Sequence, residues 1–339
     1  MERDKLTDML KGYACLLVIF GHIIIGIRTS GITVTGVLPL TEKFIWSFHI
    51  DLFMFLSGYV YSITGGTSSA GSRMGFILSK LLNLGIPYLF FSAAYIAVNS
   101  LTPGVNNENS LSDILKIWYS PVAQYWFIFA LFWLFVIYAL LSKFLSNIAI
   151  TALLYSAFLL FKFFGVNTGF LDSSFNCVLA FGIGTCLNTL DVRKIHPLLR
   201  IGIVIFHAAA TIFAIQTAFY DKFLADDLFT LLGIFSSVCF ISLFVDFRPI
   251  SSSLLYICRY SFPLYLLHTF FTAATRILLL RMGIQSLVLH ICAACVTGIL
   301  FPILIAKLFS RSPYLDFFFY PSKSVKKIKA AKEKPSPLP

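Results

Sequence analysis

Charge is what this sequence has least of. Only 12% of its 339 residues are Asp, Glu, Lys or Arg, against about 25% in an ordinary soluble domain. Hydrophobic residues make up 58%, Phe alone accounts for 37 positions, and mean hydropathy is +0.86. One soluble core cannot absorb that much apolar surface, so a soluble globular protein is excluded. Acidic residues are scarce as well: 15 against 26 basic ones, a net charge of +11. A basic balance can signal nucleic acid. Here much of the excess sits between Lys323 and Lys334, beside a membrane exit, with no nucleic-acid motif. An anionic lipid surface suits that placement better.

Other absences narrow the class further. The seven Cys are an odd number and fall mostly in or beside apolar segments, which argues against a complete disulfide framework. Cys292-x-x-Cys295 has no second pair and no His at zinc spacing, so no metal site is expected. Met1 to Lys11 is mixed in charge and no small-residue cleavage site follows the next apolar stretch, so no secretory signal is expected. No strong internal repeat is visible, which counts against a secondary transporter.

What is present is a series of apolar blocks of membrane-crossing length. Ten can be marked, at roughly 13–30, 44–63, 81–101, 118–141, 147–165, 174–190, 201–219, 228–247, 260–280 and 285–309. The expected fold is all-α and polytopic, integral to the plasma (bacterial inner) membrane, with no soluble domain between spans. Placing the N-terminus in the cytoplasm puts 19 of the 26 basic residues on that side, among them Arg3, Arg73, Lys80, Arg193 and Arg248. The opposite loops hold Lys222, the polar stretch Asn106 to Asp113 and the acidic Asp221 to Asp227. Ten spans then leave both termini inside. Residues 1–311 form the expected transmembrane domain. The basic segment 312–339, rich in Lys, Pro and Ser towards its end, is expected to be disordered and membrane-associated. A solvated end without function is the alternative.

His22 is the first residue to carry chemistry. It lies ten residues beyond Gly12, about 15 Å along a helix, near the middle of a hydrocarbon core about 30 Å thick. An ionisable group at that depth marks a functional site by default. The next span carries His49 and Asp51, and a short connection makes the two helices antiparallel neighbours. Low dielectric disfavours the charged form of an imidazole, and the neutral ring is what a general base needs. Asp51 is expected to orient one ring and fix its tautomer. Hydrogen bonding between helices is the alternative for any of these His residues; His207 and His290, without such company, are read that way.

The motifs around these residues resemble a known family. Asp8-x-x-Lys11-Gly12 with His22 ten residues on is similar to the N-terminal signature of the acyltransferase-3 family of integral membrane acyltransferases. Phe48-His49-Ile50-Asp51-Leu52-Phe53-Met54-Phe55-Leu56-Ser57-Gly58 resembles its second-span motif. Phe76 to Lys80 with Leu84 and Pro87-Tyr88 resembles its basic motif leading into span three. Tyr125-Trp126-Phe127-Ile128 and Tyr260-Ser261-Phe262-Pro263-Leu264-Tyr265-Leu266-Leu267-His268 resemble two later motifs, and all five occur in order. Three positions depart from the pattern: Asp51 stands where Pro is frequent, Asn83 where a second basic residue is common, and Cys258 where Gly is frequent.

The resemblance implies transfer of an acyl group, usually acetyl, from acyl-CoA to a carbohydrate hydroxyl. No permanently bound cofactor is implied; acetyl-CoA or another acyl-CoA is the donor substrate. The expected partners are a carbohydrate or lipid-linked saccharide and the membrane lipids. His22 is the expected general base, with His49, Asp51 and Asp8 completing the catalytic set. Asp8 is expected to pair with Lys11 or another base at the membrane face; a plain helix N-terminal charge is the alternative. Lys11, Arg73 and Lys80 are expected to hold the CoA phosphates, with positive-inside topology alone as the other reading. Ser57, Tyr88 and His268 are candidate oxyanion donors, and Trp126 a candidate wall for sugar or pantetheine. The competing functions are a polysaccharide flippase or polymerase, for which the outer loop 102–117 is short, and a proton-coupled transporter.

Overall fold

The computed structural model describes residues 4–67, 71–105, 109–187, 189–217, 219 and 224–333. Arg3, Lys222, Lys334, Asp221 and the 106–108 part of the outer polar stretch lie outside the described residues. Among the described residues there is no strand. The helices are α1 (Lys5–Thr29), α2 (Leu38–Trp46), α3 (His49–Ile63), α4 (Arg73–Lys80), α5 (Ile86–Leu101), α6 (Trp126–Leu141), α7 (Asn147–Phe164) and α8 (Asp172–Asn176). They continue as α9 (Val178–Cys186), α10 (Pro197–Gln216), α11 (Ala225–Ser242), α12 (Arg248–Arg259), α13 (Ser261–Arg281), α14 (Leu287–Phe309), α15 (Pro313–Asp316) and α16 (Pro321–Lys332). Nine helical segments among the described residues are long and apolar enough to cross a bilayer. Side chains such as Leu160, Phe163, Phe206, Phe213, Val288 and Val296 are exposed on the outer faces of these helices, as lipid-facing residues are. This is a multi-pass all-α membrane protein.

Helix α1 starts eight residues before the expected span. Asp4 caps it, its carboxylate accepting from the Leu6 amide at 3.2 Å. The extra turns stay helical because Leu6, Met9 and Leu10 are buried. Gly12 lets α12 approach: a Cβ there would lie 2.2 Å from the Leu254 carbonyl oxygen. Asp8, Lys11 and Gly12 therefore belong to the helix itself, and Arg248 to Arg259 is a helix rather than a loop.

The second span is two helices, with a break at Ser47-Phe48. A break within a membrane must have its backbone groups satisfied by protein. Here the Thr230 hydroxyl donates to the Ser47 carbonyl at 2.9 Å. The third span extends back through α4 and a π-helical turn, Leu81–Gly85, into α5. Pro87, near the start of α5, has no N–H to donate back along the helix, and a widened turn accommodates this. The expected sixth span is instead the short pair α8 and α9. It fits tightly: a Cβ on Gly58 would lie 2.0 Å from the Phe181 carbonyl oxygen, and one on Gly184 2.1 Å from that of Phe55. α3 and α9 thus meet backbone to backbone.

The segment after residue 312, expected to be disordered, carries α15 and α16 through Lys332. The reason is an aromatic anchor between them. Phe318 stacks on Phe90 (centroids 4.0 Å apart), and the buried Phe319 stacks on Phe91 at 5.1 Å. The buried Asp316 carboxylate lies 3.7 Å from Lys323 and 3.6 Å from Lys327. The Ser322 amide donates to the Asn83 side-chain oxygen at 3.2 Å, fastening α16 to the π-turn.

Candidate active site

Two glycines, Gly21 and Gly26, flank His22 on α1. A Cβ on Gly21 would lie 3.4 Å from the Trp46 indole nitrogen, and one on Gly26 only 2.6 Å from Nη1 of Arg276. At Gly26 the missing side chain lets Arg276 approach α1 one turn beyond His22, whereas at Gly21 a Cβ would make an ordinary contact with Trp46. The His22 ring lies 5.7 Å from Trp46, edge to face, and 5.2 Å from His268. Trp46 in turn lies 4.9 Å from His49. His22 and His49 thus flank one indole, and His268, from a third helix, lies against His22.

His49 and His268 are fully buried and held alike. The break in span two leaves Ile45 four residues before His49, and the Ile45 carbonyl takes a hydrogen bond from Nδ1 at 2.9 Å. Nδ1 of His268 donates to the carbonyls of Leu264 at 2.9 Å and Tyr265 at 3.0 Å. A carbonyl only accepts, so the proton is on Nδ1 and the lone pair on Nε2 in both rings. Both Nε2 atoms are buried and have no partner among the described residues, so His268 presents a lone pair there rather than the oxyanion donor expected of it. Among the described residues no hydrogen bond fixes the His22 ring.

The turn before α6 is locked onto α13 beside these rings. The Tyr125 hydroxyl donates to the Leu266 carbonyl at 2.8 Å, the Gln124 amide to the Thr269 hydroxyl at 2.7 Å, and the Tyr265 hydroxyl to the Gln124 carbonyl. This clamp joins the two late motifs. It sets Gln124 and Trp126 on the wall of a cavity of about 400 Å³ that His22, Trp46 and Arg276 also line. Thr29, Asn99 and Thr102, at or just beyond the C-terminal ends of α1 and α5, also line it, so it sits towards the end of the bundle opposite the N-terminus.

The other candidates divide. Asp8 and Lys11 are 3.9 Å apart on successive turns of α1, and Lys11 lies 11 residues before His22, about 16 Å along the helix. The Lys80 ammonium lies 3.9 Å from the centre of the Phe135 ring and 5.0 Å from that of Phe76, and Arg73 is exposed at the start of α4. None of these four lines the cavity. The Ser57 hydroxyl donates to the Phe53 carbonyl at 2.8 Å, and the Tyr88 hydroxyl to that of Ile117. Asp51 lies two residues from His49 and so about 200° around the helix from it. Backbone carbonyls set the ring tautomers of His49 and His268, the task expected of Asp51.

Sequence reasoning passed over Trp46, Gln124 and Arg276. Arg276 lies eight residues after His268 with Thr272 between. That spacing puts all three on one helix face.

The family profile described as "Acyltransferase domain" matches residues 7–307. The chain belongs to the acyltransferase-3 family. The five motifs that carry the resemblance fall within the matched region. Nodulation protein NolL of Mesorhizobium japonicum (strain LMG 29417 / CECT 9101 / MAFF 303099) is 30% identical over 144 residues, 42% of this chain and 37% of that protein. Nodulation protein NolL of Sinorhizobium fredii (strain NBRC 101917 / NGR234) is 29% identical over 143 residues, 42% of this chain and 38% of that protein. The chain therefore matches less than two fifths of the length of these curated relatives. No solved structure matches it.

Proposed function

We propose that this acyltransferase moves an acyl group, acetyl in the first instance, from acyl-CoA to a hydroxyl of a cell-surface carbohydrate or its lipid-linked precursor, in the bacterial inner membrane. The observation that carries the reading is His22 itself: a ring free of fixed hydrogen bonds, on the wall of a large cavity, 5.2 Å from the His268 ring. With the N-terminus in the cytoplasm, as the basic loops predict, the cavity faces the far side. Lys11, Arg73 and Lys80 lie towards the cytoplasmic end, where an anionic CoA is met first.

His22 acts as general base. It takes the proton of the acceptor hydroxyl while that oxygen bonds to the thioester carbonyl carbon. The tetrahedral intermediate collapses with cleavage of the C–S bond, and the leaving thiolate recovers the proton from His22. The bare Nε2 of His268 offers a lone pair beside the imidazolium that forms in between. Trp126 and Gln124 supply a flat wall and a hydrogen-bonding edge of the kind a sugar ring uses.

The test is His22→Ala in protein reconstituted with labelled acetyl-CoA and a saccharide acceptor. Transfer is expected to vanish while the variant remains membrane-inserted and monodisperse. Near-normal transfer overturns the reading.

A further inference from the structure

Arg276 is a buried charge with no carboxylate partner among the described residues. It is 8% exposed, it lines the His22 cavity, and its Nε is buried without a hydrogen-bond partner. Among the described residues no carboxylate lies within ion-pair distance of it, and none of the residues lining the cavity is Asp or Glu. The contrast is Arg28, near the same end of α1, which Glu42 grips through two oxygens at 2.9 and 3.1 Å. A buried cation without a counter-ion costs stability, and a protein that keeps one has a use for the charge. The guanidinium presents donors in a flat fork that matches a carboxylate or phosphate. Gly26 clears the space for it, since a Cβ there would lie 2.6 Å from Nη1.

We propose that Arg276 is a specificity-determining residue of the acceptor subsite: the saccharide that enters this cavity is anionic, and Arg276 holds its carboxylate or phosphate while a hydroxyl is presented to His22. The inference rests on the proposed function in taking the cavity as the place of the acceptor. Two sources share this chemistry. One is a uronic-acid carboxylate in the glycan, the other the phosphate of a lipid-linked sugar.

The experiment is binding to the purified full-length protein, followed by the fluorescence of Trp46 and Trp126, which line the cavity. The probes are a uronate-containing oligosaccharide, its neutral counterpart of equal length, and a polyprenyl-phosphate sugar with its phosphate-free analogue. At least one anionic probe is expected to bind roughly tenfold or more tightly than its neutral partner, the range of a charge-assisted hydrogen bond; which pair shows it names the source. Arg276→Met should erase that preference and Arg276→Lys keep part of it. Gly26→Ala, which keeps the charge but crowds Nη1, should reduce it if Arg276→Met fails to fold. Thermal stabilisation by acetyl-CoA should be unchanged in all three variants. Equal binding of anionic and neutral probes by the unaltered protein overturns the proposal, as does a preference that survives Arg276→Met. These readouts need no acyl transfer, so transfer surviving in His22→Ala would sink the catalytic reading and leave the anion preference to stand or fall by itself.

Discussion

The rings of His22 and His268 lie 5.2 Å apart, although 246 residues separate them in the chain. His268 is anchored through Nδ1 to two carbonyls and presents Nε2 bare. Under the proposed function that nitrogen's lone pair accepts. Replacing His268 by Phe keeps a ring of similar bulk and removes the lone pair. Turnover is expected to fall roughly 100-fold or more, within the range for acid–base groups, with little change in Tm. Acyl-transfer kinetics beside a thermal melt check both halves. Full activity in His268→Phe would remove the ring from the mechanism.

Lys11 lies on α1 one turn beyond Asp8, at the end where the donor arrives under the proposed function. Lys11→Met is expected to raise KM for acyl-CoA several-fold, as loss of a phosphate contact would, and to leave KM for the acceptor unchanged. Initial rates with each substrate varied in turn make the comparison. Lys80 serves as the contrast. Its ammonium rests on Phe135 and Phe76, and Lys80→Met should lower Tm as well, because a cation–π contact is lost.

Gly58 is a close-packing point between α3 and α9. The Cβ of Gly58→Ala would meet a backbone carbonyl, which cannot swing aside as a side chain can. Overpacking of this sort costs about 1–3 kcal/mol. The variant should show lower yield and a lower Tm in detergent. A melt indistinguishable from the unaltered protein would mean that α3 and α9 are less closely packed than described.

The C-terminal helix makes a separable prediction. Phe319 is 1% exposed and stacks on Phe91 and against Phe309. Truncating such a residue typically costs about 3–5 kcal/mol. Phe319→Ala should therefore free α16 and raise its amide exchange and protease sensitivity, while α1 and α13 stay protected. Hydrogen-exchange mass spectrometry resolves the two regions. Unchanged protection of residues 321–332 would show that the ion pairs of Asp316 suffice.

How much of this was legible in the sequence varies with the range of the interaction. Most spans were readable because hydrophobic length is a local property. The break at Ser47-Phe48 was not, since the hydroxyl that satisfies it comes from Thr230, 183 residues away. The basic tail read as disordered because its composition is polar, whereas its order comes from Phe318 and Phe319 meeting Phe90 and Phe91. His22 and His49 were visible as costly residues in apolar runs. Asp51 seemed their natural partner by proximity in sequence, but two residues along a helix is nearly the opposite face. Arg276 was hidden by its nearness to a span end, where a cation is ordinarily a topology signal.

Hydrophobic runs, basic loops and five ordered motifs determined by themselves that this chain crosses the membrane many times and belongs with membrane acyltransferases, because each is a property of residues close together in the chain. Only the tertiary structure decided which imidazoles meet, that carbonyls set the tautomers of His49 and His268, and that a guanidinium without a carboxylate partner among the described residues shares the cavity of His22. Those facts depend on helix rotation and on glycines that let helices touch. Both are settled by packing among distant segments rather than by local pattern.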